Sequence, residues 1–437
     1  MKQQSIVLAA ALGALLTGCG EKKKSDTPAT TVATADTTLR LPAPYETKSA
    51  AHFSNVINWP EGTTPKAPAG FTVTEFARDM ASPRWIYVAP NGDIFVAEAN
   101  TERTGVKKKV VSVVSGQNKS ERTEASANRI TLFRDTNQDG KPEMQDVFLA
   151  GLNQPFGMLV IGNSFYVANT DGLWQYPYKA GQTKMTAPGK KILNLPAGGY
   201  NNHWTRNLLA SPDNSKIYVS VGSGSNVGEN GIENEKRRAN ILEINPDGTG
   251  ERIYASGLRN PVGMGWEPST KTLYTAVNER DELGDELVPD YLTSVKQGAF
   301  YGWPYAYFGP NEDPRRKGER PDLVKKSVVP DVPLGAHTAS LGLAFYDKKA
   351  FPAKYQNGAF IGQHGSWNRT TFSGYKVVFV PFENGKPGKP EDFLTGFVAG
   401  TNDKDVHGRP VGVTVLPDGA MLVADDAAGR IWRVAAE

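Results

Sequence analysis

Four of the chain's five histidines stand in short Gly-, Asn- and Arg-rich segments rather than in apolar runs. They are His203 in Asn201-Asn202-His203-Trp204, His337 in Gly335-Ala336-His337-Thr338, His364 in Gln363-His364-Gly365-Ser366, and His407 in Val406-His407-Gly408-Arg409. Arg259, Arg369 and Arg409 occupy segments of the same kind. An imidazole titrates near neutral pH, and a guanidinium is a permanent, fork-shaped cation. Gathered in one place, they suit proton transfer beside an anionic ligand. The stretch from Gly257 to Pro304 is a second concentration of chemistry. Arg259 and Asn260 close Gly257-Leu258-Arg259-Asn260-Pro261, and Asn278-Glu279-Arg280-Asp281-Glu282-Leu283-Gly284-Asp285-Glu286 follows. Its carboxylates, amides and loop carbonyls are the hard oxygen donors that calcium takes, although a solvated charged loop has the same composition.

A third signal is Asp135-Thr136-Asn137-Gln138-Asp139-Gly140, followed by Glu143 and Asp146. Oxygen-bearing residues at positions one, three and five, Gly at six and Asp146 at twelve match the spacing of a calcium loop. An Asx-rich hairpin turn reads the same way. Asp135, Asn137, Asp139 and Asp146 are therefore a second metal candidate only.

Residues so far apart in sequence need a scaffold that returns them to one place. A short strand of the pattern apolar-aromatic-apolar-small recurs at Gly92–Ala97, Ser164–Ala168, Lys216–Ser220, Thr272–Ala276, Gly358–Gly362 and Gly419–Ala424. Several copies are introduced by Pro-x-Gly-x, as in Pro155-Phe156-Gly157-Met158, Pro261-Val262-Gly263-Met264 and Pro410-Val411-Gly412-Val413. Short alternating strands at regular spacing, with 45 glycines to turn between them, predict an all-β fold. Six such units, each with room for four strands, predict a six-bladed β-propeller over residues 67–437. In that ring, loops at one mouth of the channel bring distant residues together.

The N-terminus predicts export. Met1-Lys2, the apolar stretch Ile6–Leu16 and Leu16-Thr17-Gly18-Cys19 form a signal peptide over residues 1–19, too short to span a bilayer as a helix. The ending resembles a bacterial lipobox, which makes Cys19, the sole cysteine, the lipidation site. Gly20 after it favours the outer membrane, on the periplasmic side. Residues 20–66, with Lys22-Lys23-Lys24 and few aromatics, read as a flexible tether. Lys and Arg total 49 against 46 Asp and Glu, a net charge of +3 that gives no nucleic-acid bias. Membrane contact is then through the lipid alone.

His203 with Leu208–Gly222, Gly257-Leu258-Arg259-Asn260-Pro261, Gly284-Asp285-Glu286, Tyr301-Gly302-Trp303-Pro304 and His364-Gly365-Ser366-Trp367-Asn368-Arg369 resemble the soluble glucose/sorbosone dehydrogenases, the sorbosone-like branch above all. The resemblance covers residues 67–437. It implies a six-bladed propeller that uses pyrroloquinoline quinone and calcium to oxidise an aldose or ketoaldose, and an electron acceptor as partner. It implies His203 as general base and Arg259 as stabiliser of charge on the quinone oxygen. Asn260 would hydrogen-bond the cofactor, and Arg369, Arg409 and His407 would pair with its carboxylates. Calcium would sit on backbone carbonyls around Glu279 and Arg280. Gln154 and His337 would contact substrate, with Thr338 and His364 at the mouth. One position departs from the glucose-oxidising pattern: where an aspartate orients the base, this chain has Val221-Gly222-Ser223-Gly224. Two rival readings stand beside this one, a calcium-dependent propeller lactonase and a non-catalytic binding propeller.

Overall fold

In the computed structural model, residues 26–102, 116–122, 124–137 and 139–437 are described. Cys19 and the signal segment lie outside them. The chain is a six-bladed β-propeller. Five blades follow one another in sequence as antiparallel sheets. Their innermost strands are Pro83–Val88, Met158–Ile161, Leu208–Ala210, Pro261–Trp266 and Ala344–Tyr346. The sixth blade joins the two ends of the domain: Pro410–Val415, Met421–Asp425 and Arg430–Ala436 are completed by Phe71–Ala77, with Ala436 opposite Phe71 and Ile431 opposite Ala77. The ring is thus closed by backbone hydrogen bonds.

The six echoed segments are the second strands of the six blades: Ile94–Glu98, Ser164–Asn169, Ile217–Val221, Leu273–Val277, Gly358–Gln363 and Met421–Asp425. All six lie wholly or almost wholly in the interior, which explains their continuous apolar character. Their aromatic and aliphatic side chains fill the wedges between neighbouring sheets, as where Phe95 meets Phe148 and Phe165.

The Pro-x-Gly-x repeats have a steric cause. They run into the innermost strands, which abut the next blade around the channel. A Cβ on Gly157 would lie 2.5 Å from the Leu208 amide nitrogen, and one on Gly412 would lie 2.7 Å from the Arg84 carbonyl oxygen. Glycine is what lets adjacent inner strands approach this closely.

Two parts of the chain depart from the plain ring. The fourth blade carries an insertion between Pro289–Ser294 and Val332–Ala336. It contains the hairpin Ala306–Tyr307/Asn311–Glu312 and the short helix Pro321–Lys326. The second departure corrects the expected tether. Thr30–Ala33 pairs with Thr38–Leu41, and Asn55–Val56 adds parallel to Asp405–Val406. Leu41 and Trp59, 1% and 6% exposed, are part of the core. Residues 30–66 are therefore a strap across the propeller. Composition suggested a tether because a segment with few apolar residues cannot form its own core, but it can dock a few anchors into an existing one.

Gly412→Ala should cost about 1–3 kcal/mol, because the added methyl meets backbone that cannot swing aside. Gly198→Ala, where a Cβ meets nothing within 4 Å, should be neutral. The midpoint of urea unfolding, at unchanged slope, checks both.

Candidate active site

Antiparallel blades put two sets of loops on one face: those between the second and third strands, and those linking one blade to the next. His203, Arg259, Asn260 and Arg409 lie on linking loops, whereas Ser223, Asp281, His364, Trp367 and Asp426 follow second strands. All of these but Ser223 line two chambers with shared walls. The inner chamber, about 190 Å³, is lined by His203, Asn260, His364 and Asp426. The outer one, about 870 Å³, is lined by Phe53, Tyr200, Arg259, Arg315 and Arg316. Asn202, Asp281, Trp367 and Arg409 line both.

His203 is held from behind. Its Nδ1 lies 2.9 Å from both the carbonyl oxygen and the Oγ of Ser223. Ser223 Oγ donates its own hydrogen to the Ser225 carbonyl at 2.7 Å, so both oxygens facing Nδ1 are acceptors. Nδ1 therefore carries the proton, and Nε2 is the basic nitrogen. Burial, then the charge of Arg259, push the His203 pKa well below the ordinary imidazole value. The ring is neutral at physiological pH, as a general base must be. The missing aspartate is replaced by Ser223, with a carboxylate one layer further back. Glu235 accepts from the Gly224 and Ser225 amides at 2.7 and 2.9 Å and from Ser225 Oγ, which fixes the loop that orients the imidazole. Gly222 belongs to the same arrangement. A Cβ there would lie 2.4 Å from Asn260 Oδ1 and 2.6 Å from His203 Cβ, so only glycine lets these two side chains meet.

Arg259 is buried in a cage of oxygens. It donates to Asn278 Oδ1 and Asn226 Oδ1 at 2.9 Å, to Asp281 Oδ2 at 3.1 Å and to the Glu279 carbonyl. With its donors committed, it acts on the chambers through charge. His337 stands behind Asp281, with Nε2 2.9 Å from the Gly284 carbonyl and Nδ1 3.3 Å from Asp281 Oδ1. Burial alone would lower the His337 pKa, but the hydrogen bond and charge of Asp281 outweigh it and raise it. His364 is different: burial and Arg409 lower it to about 4, against the opposing pull of Asp426. It donates Nε2–H to Asp426 at 2.8 Å, and Arg84 pairs with the other oxygen of that carboxylate.

Arg409 shows the clearest opening for an anion. Its side chain is buried and donates only to backbone carbonyls, those of His364, Ser120 and Gly365, at 2.9, 3.1 and 3.0 Å. Among the described residues no carboxylate is hydrogen-bonded to it, yet it lines both chambers. Asn260 Oδ1, in the lining of the same inner chamber, is buried without a hydrogen-bond partner among the described residues. A buried guanidinium and an orphaned amide oxygen are what a carboxylate-bearing, hydrogen-bonding cofactor would satisfy. The residues present therefore fit pyrroloquinoline quinone.

Several expected contacts lie elsewhere. Gln154 is buried away from the chambers and donates to the Asn100 carbonyl at 2.9 Å, bracing a mouth loop. His337 backs Asp281 instead of facing substrate. Arg369 binds the Asp285 carbonyl at 2.9 Å and pairs with Glu286. His407 is turned to the strap: its Nδ1 donates to the Asn58 carbonyl at 2.9 Å, and its ring packs on Trp59 at 5.0 Å. The Arg280 side chain is an internal tie between Glu279 and Asp313. The Glu279 carbonyl accepts from Arg259, which leaves its second lone pair available. In the Asp135 loop, carboxylate oxygens of Asp135, Asp139 and Glu143 lie within 4.8 Å of one another. Asp146 is outside this group, paired with Leu132 in the sheet. Asn137 Oδ1 and Asp135 Oδ2 accept backbone amides, those of Asp139 and Gly140, at 2.9 and 2.8 Å, as in an Asx-rich turn.

Sequence reasoning missed Phe53, because it lay in the supposed tether, and the Arg84–Asp426 pair, because its partners are 342 residues apart. Glu235 carried no signal beyond its charge.

His203 should titrate below the ordinary value of about 6.5. Arg259→Gln should raise that midpoint, because removing the cation makes the imidazolium less costly. NMR titration of the imidazole, with His203→Gln for assignment, checks both; a wild-type midpoint at 6.5 or above contradicts the geometry.

Comparison with known proteins agrees with this architecture. An uncharacterized protein of Borreliella burgdorferi is 28% identical over 384 residues, covering 85% of this chain and 91% of its own. The pyrroloquinoline quinone-dependent pyranose dehydrogenase of Coprinopsis cinerea is 24% identical over 341 residues, 64% of this chain and 44% of that enzyme. The holo form of a pyranose dehydrogenase PQQ domain from the same fungus superposes with a TM-score of 0.67 at 18% identity, over 88% of this chain and all of the domain. A calcium structure of a Trichoderma reesei family AA12 enzyme superposes with a TM-score of 0.68 at 19% identity, over 88% and 98% of the two chains. Residues 65–307 and 313–437 match the TrAA12-like family, and the chain belongs to it.

Proposed function

We propose that this protein is a quinone-dependent sugar dehydrogenase that oxidises an aldose or ketoaldose, sorbosone-like sugars included. One observation carries the reading: a neutral imidazole whose basic nitrogen has no hydrogen-bond partner among the described residues shares a chamber with a buried guanidinium to which none of them hydrogen-bonds a carboxylate. The names of its relatives support the same chemistry. Bound at Arg409 and Asn260, pyrroloquinoline quinone supplies the hydride acceptor.

His203 Nε2 takes the proton of the sugar hydroxyl, and Ser223 keeps Nδ1 protonated so that the basic nitrogen is the one facing substrate. Arg259 adds positive charge beside the chamber, which favours oxyanion character on the bound partners. The oxygens of Asn226, Asn278, Glu279 and Asp281 are of the class calcium takes, and the calcium structure of the Trichoderma reesei enzyme supports a metal in this protein.

Adding pyrroloquinoline quinone and calcium to the purified protein should produce sugar-dependent dye reduction, and exhaustive chelation should abolish it. His203→Ala should lower turnover by about two to four orders of magnitude. Arg409→Gln should instead weaken quinone binding, read directly by calorimetry. Full turnover in His203→Ala would remove the base assignment.

We place the protein on the periplasmic side of a bacterial outer membrane, held by lipid on Cys19. Cys19→Ser should leave a soluble or uncleaved precursor that takes up no labelled lipid, with unchanged urea unfolding. A wild-type protein that takes up no labelled lipid would refute this placement.

A further inference from the structure

Two of the five large hydrophobic side chains left exposed among the described residues, Tyr200 and Trp367, line the outer chamber. They are 46% and 38% exposed. Trp367 is not alone: Phe53 stacks on it with ring centroids 5.5 Å apart and planes 11° from parallel. Phe53 arrives on the strap, so this wall is built from two distant parts of the chain.

The strap is fastened at the chamber rim. The Tyr45 amide donates to the Leu283 carbonyl at 2.7 Å, the Gly284 amide to Ser49 Oγ at 2.9 Å, and the Asp285 amide to Thr47 Oγ1 at 2.8 Å. The His52 amide donates to the Trp367 carbonyl at 2.7 Å. Glu282, which lines the chamber, donates its amide to Asn368 Oδ1 at 2.8 Å. Loops of the fourth and fifth blades are thereby locked to the strap and to each other. Such fastening holds the aromatic pair in a fixed place rather than leaving it as loose surface.

His203 lines the inner chamber and Phe53 the outer, while Trp367 borders both. A sugar ring that presents its hydroxyl to His203 meets Trp367 at most and leaves Phe53 and Tyr200, in the outer chamber, to a further ring. The outer lining carries Arg259, Arg315, Arg316 and Arg409 against Glu121, Glu229, Asp281 and Glu282, so its formal charges cancel. Flat aromatic faces beside hydrogen-bonding groups and no net charge suit the apolar face and hydroxyl rim of a neutral pyranose.

We propose that Phe53, Trp367 and Tyr200 form a subsite for a second, non-reacting pyranose ring. The substrate class is then a neutral oligosaccharide oxidised at its end ring, and the strap is a specificity element. This inference rests on the sugar-oxidising reading of the inner chamber.

Calorimetry on the quinone-free protein, with methyl glucoside, methyl maltoside and methyl cellobioside, tests it, since these blocked glycosides report binding without turnover. At least one two-ring glycoside should bind about ten-fold more tightly than the one-ring compound, the value of a well-placed aromatic contact. Phe53→Leu should collapse that ratio to near unity, and Phe53→Tyr should retain it, which separates loss of the ring from loss of the strap. Equal binding of one- and two-ring glycosides, no binding of either, or an unchanged ratio in Phe53→Leu overturns the subsite. Tight two-ring binding without sugar-dependent dye reduction in the reconstituted protein overturns the dehydrogenase reading and leaves the subsite standing.

Discussion

Six sheets surround so narrow a channel only because neighbouring inner strands touch nearly backbone to backbone. At Gly157 and Gly412 the next blade leaves no room for a Cβ. That contact sets how closely the blades pack, and so how far apart the loops at the mouth stand. The pairing of Phe71–Ala77 with Arg430–Ala436 then holds the circle shut. Loosening either would spread His203, Asp281, His364 and Arg409, which come from four different blades. The site is thus a consequence of ring closure rather than of any local motif.

Within the ring, electrostatics divide the buried ions into satisfied and unsatisfied ones. Arg259 is surrounded by Asn226, Asn278, Glu279 and Asp281, and Arg280 is tied between Glu279 and Asp313. Such ions hold loops in place, because removing one partner would leave a buried charge exposed to low dielectric. Among the described residues the Arg409 guanidinium hydrogen-bonds only to backbone carbonyls, with the Tyr375 ring beneath it and the charge of Asp426 nearby. A site keeps such a cation when a ligand's negative charge completes it. His203 is the counterpart among the bases, kept neutral by burial and by the adjacent cation.

The strap changes what the N-terminal region means for function. Segments that are too polar to fold alone still acquire structure when a handful of side chains find sites on a finished domain. Here Leu41 and Trp59 are the anchors, and His407, expected at the cofactor, is one of the groups that holds Trp59 down. The same segment joins loops of the fourth and fifth blades and carries Phe53 into the chamber wall. A segment that reads as a spacer is therefore part of the chamber wall.

The amino-acid sequence alone determined the fold class, because the buried second strands and the Pro-x-Gly-x repeats are periodic and local. It also marked His203, Arg259, Asn260 and Arg409, whose types and loop settings are chemical signals in themselves. What it could not separate was a residue on the site's face from a residue pointing into the site. Gln154, His337, Arg369 and His407 all lie on the correct face, yet each is turned to a protein partner that only tertiary contact supplies. The same limit hid Phe53, Glu235 and the Arg84–Asp426 pair, whose roles depend on neighbours far away in the chain. Strand periodicity is written residue by residue; the direction of a loop side chain is decided by what the closed ring places beside it.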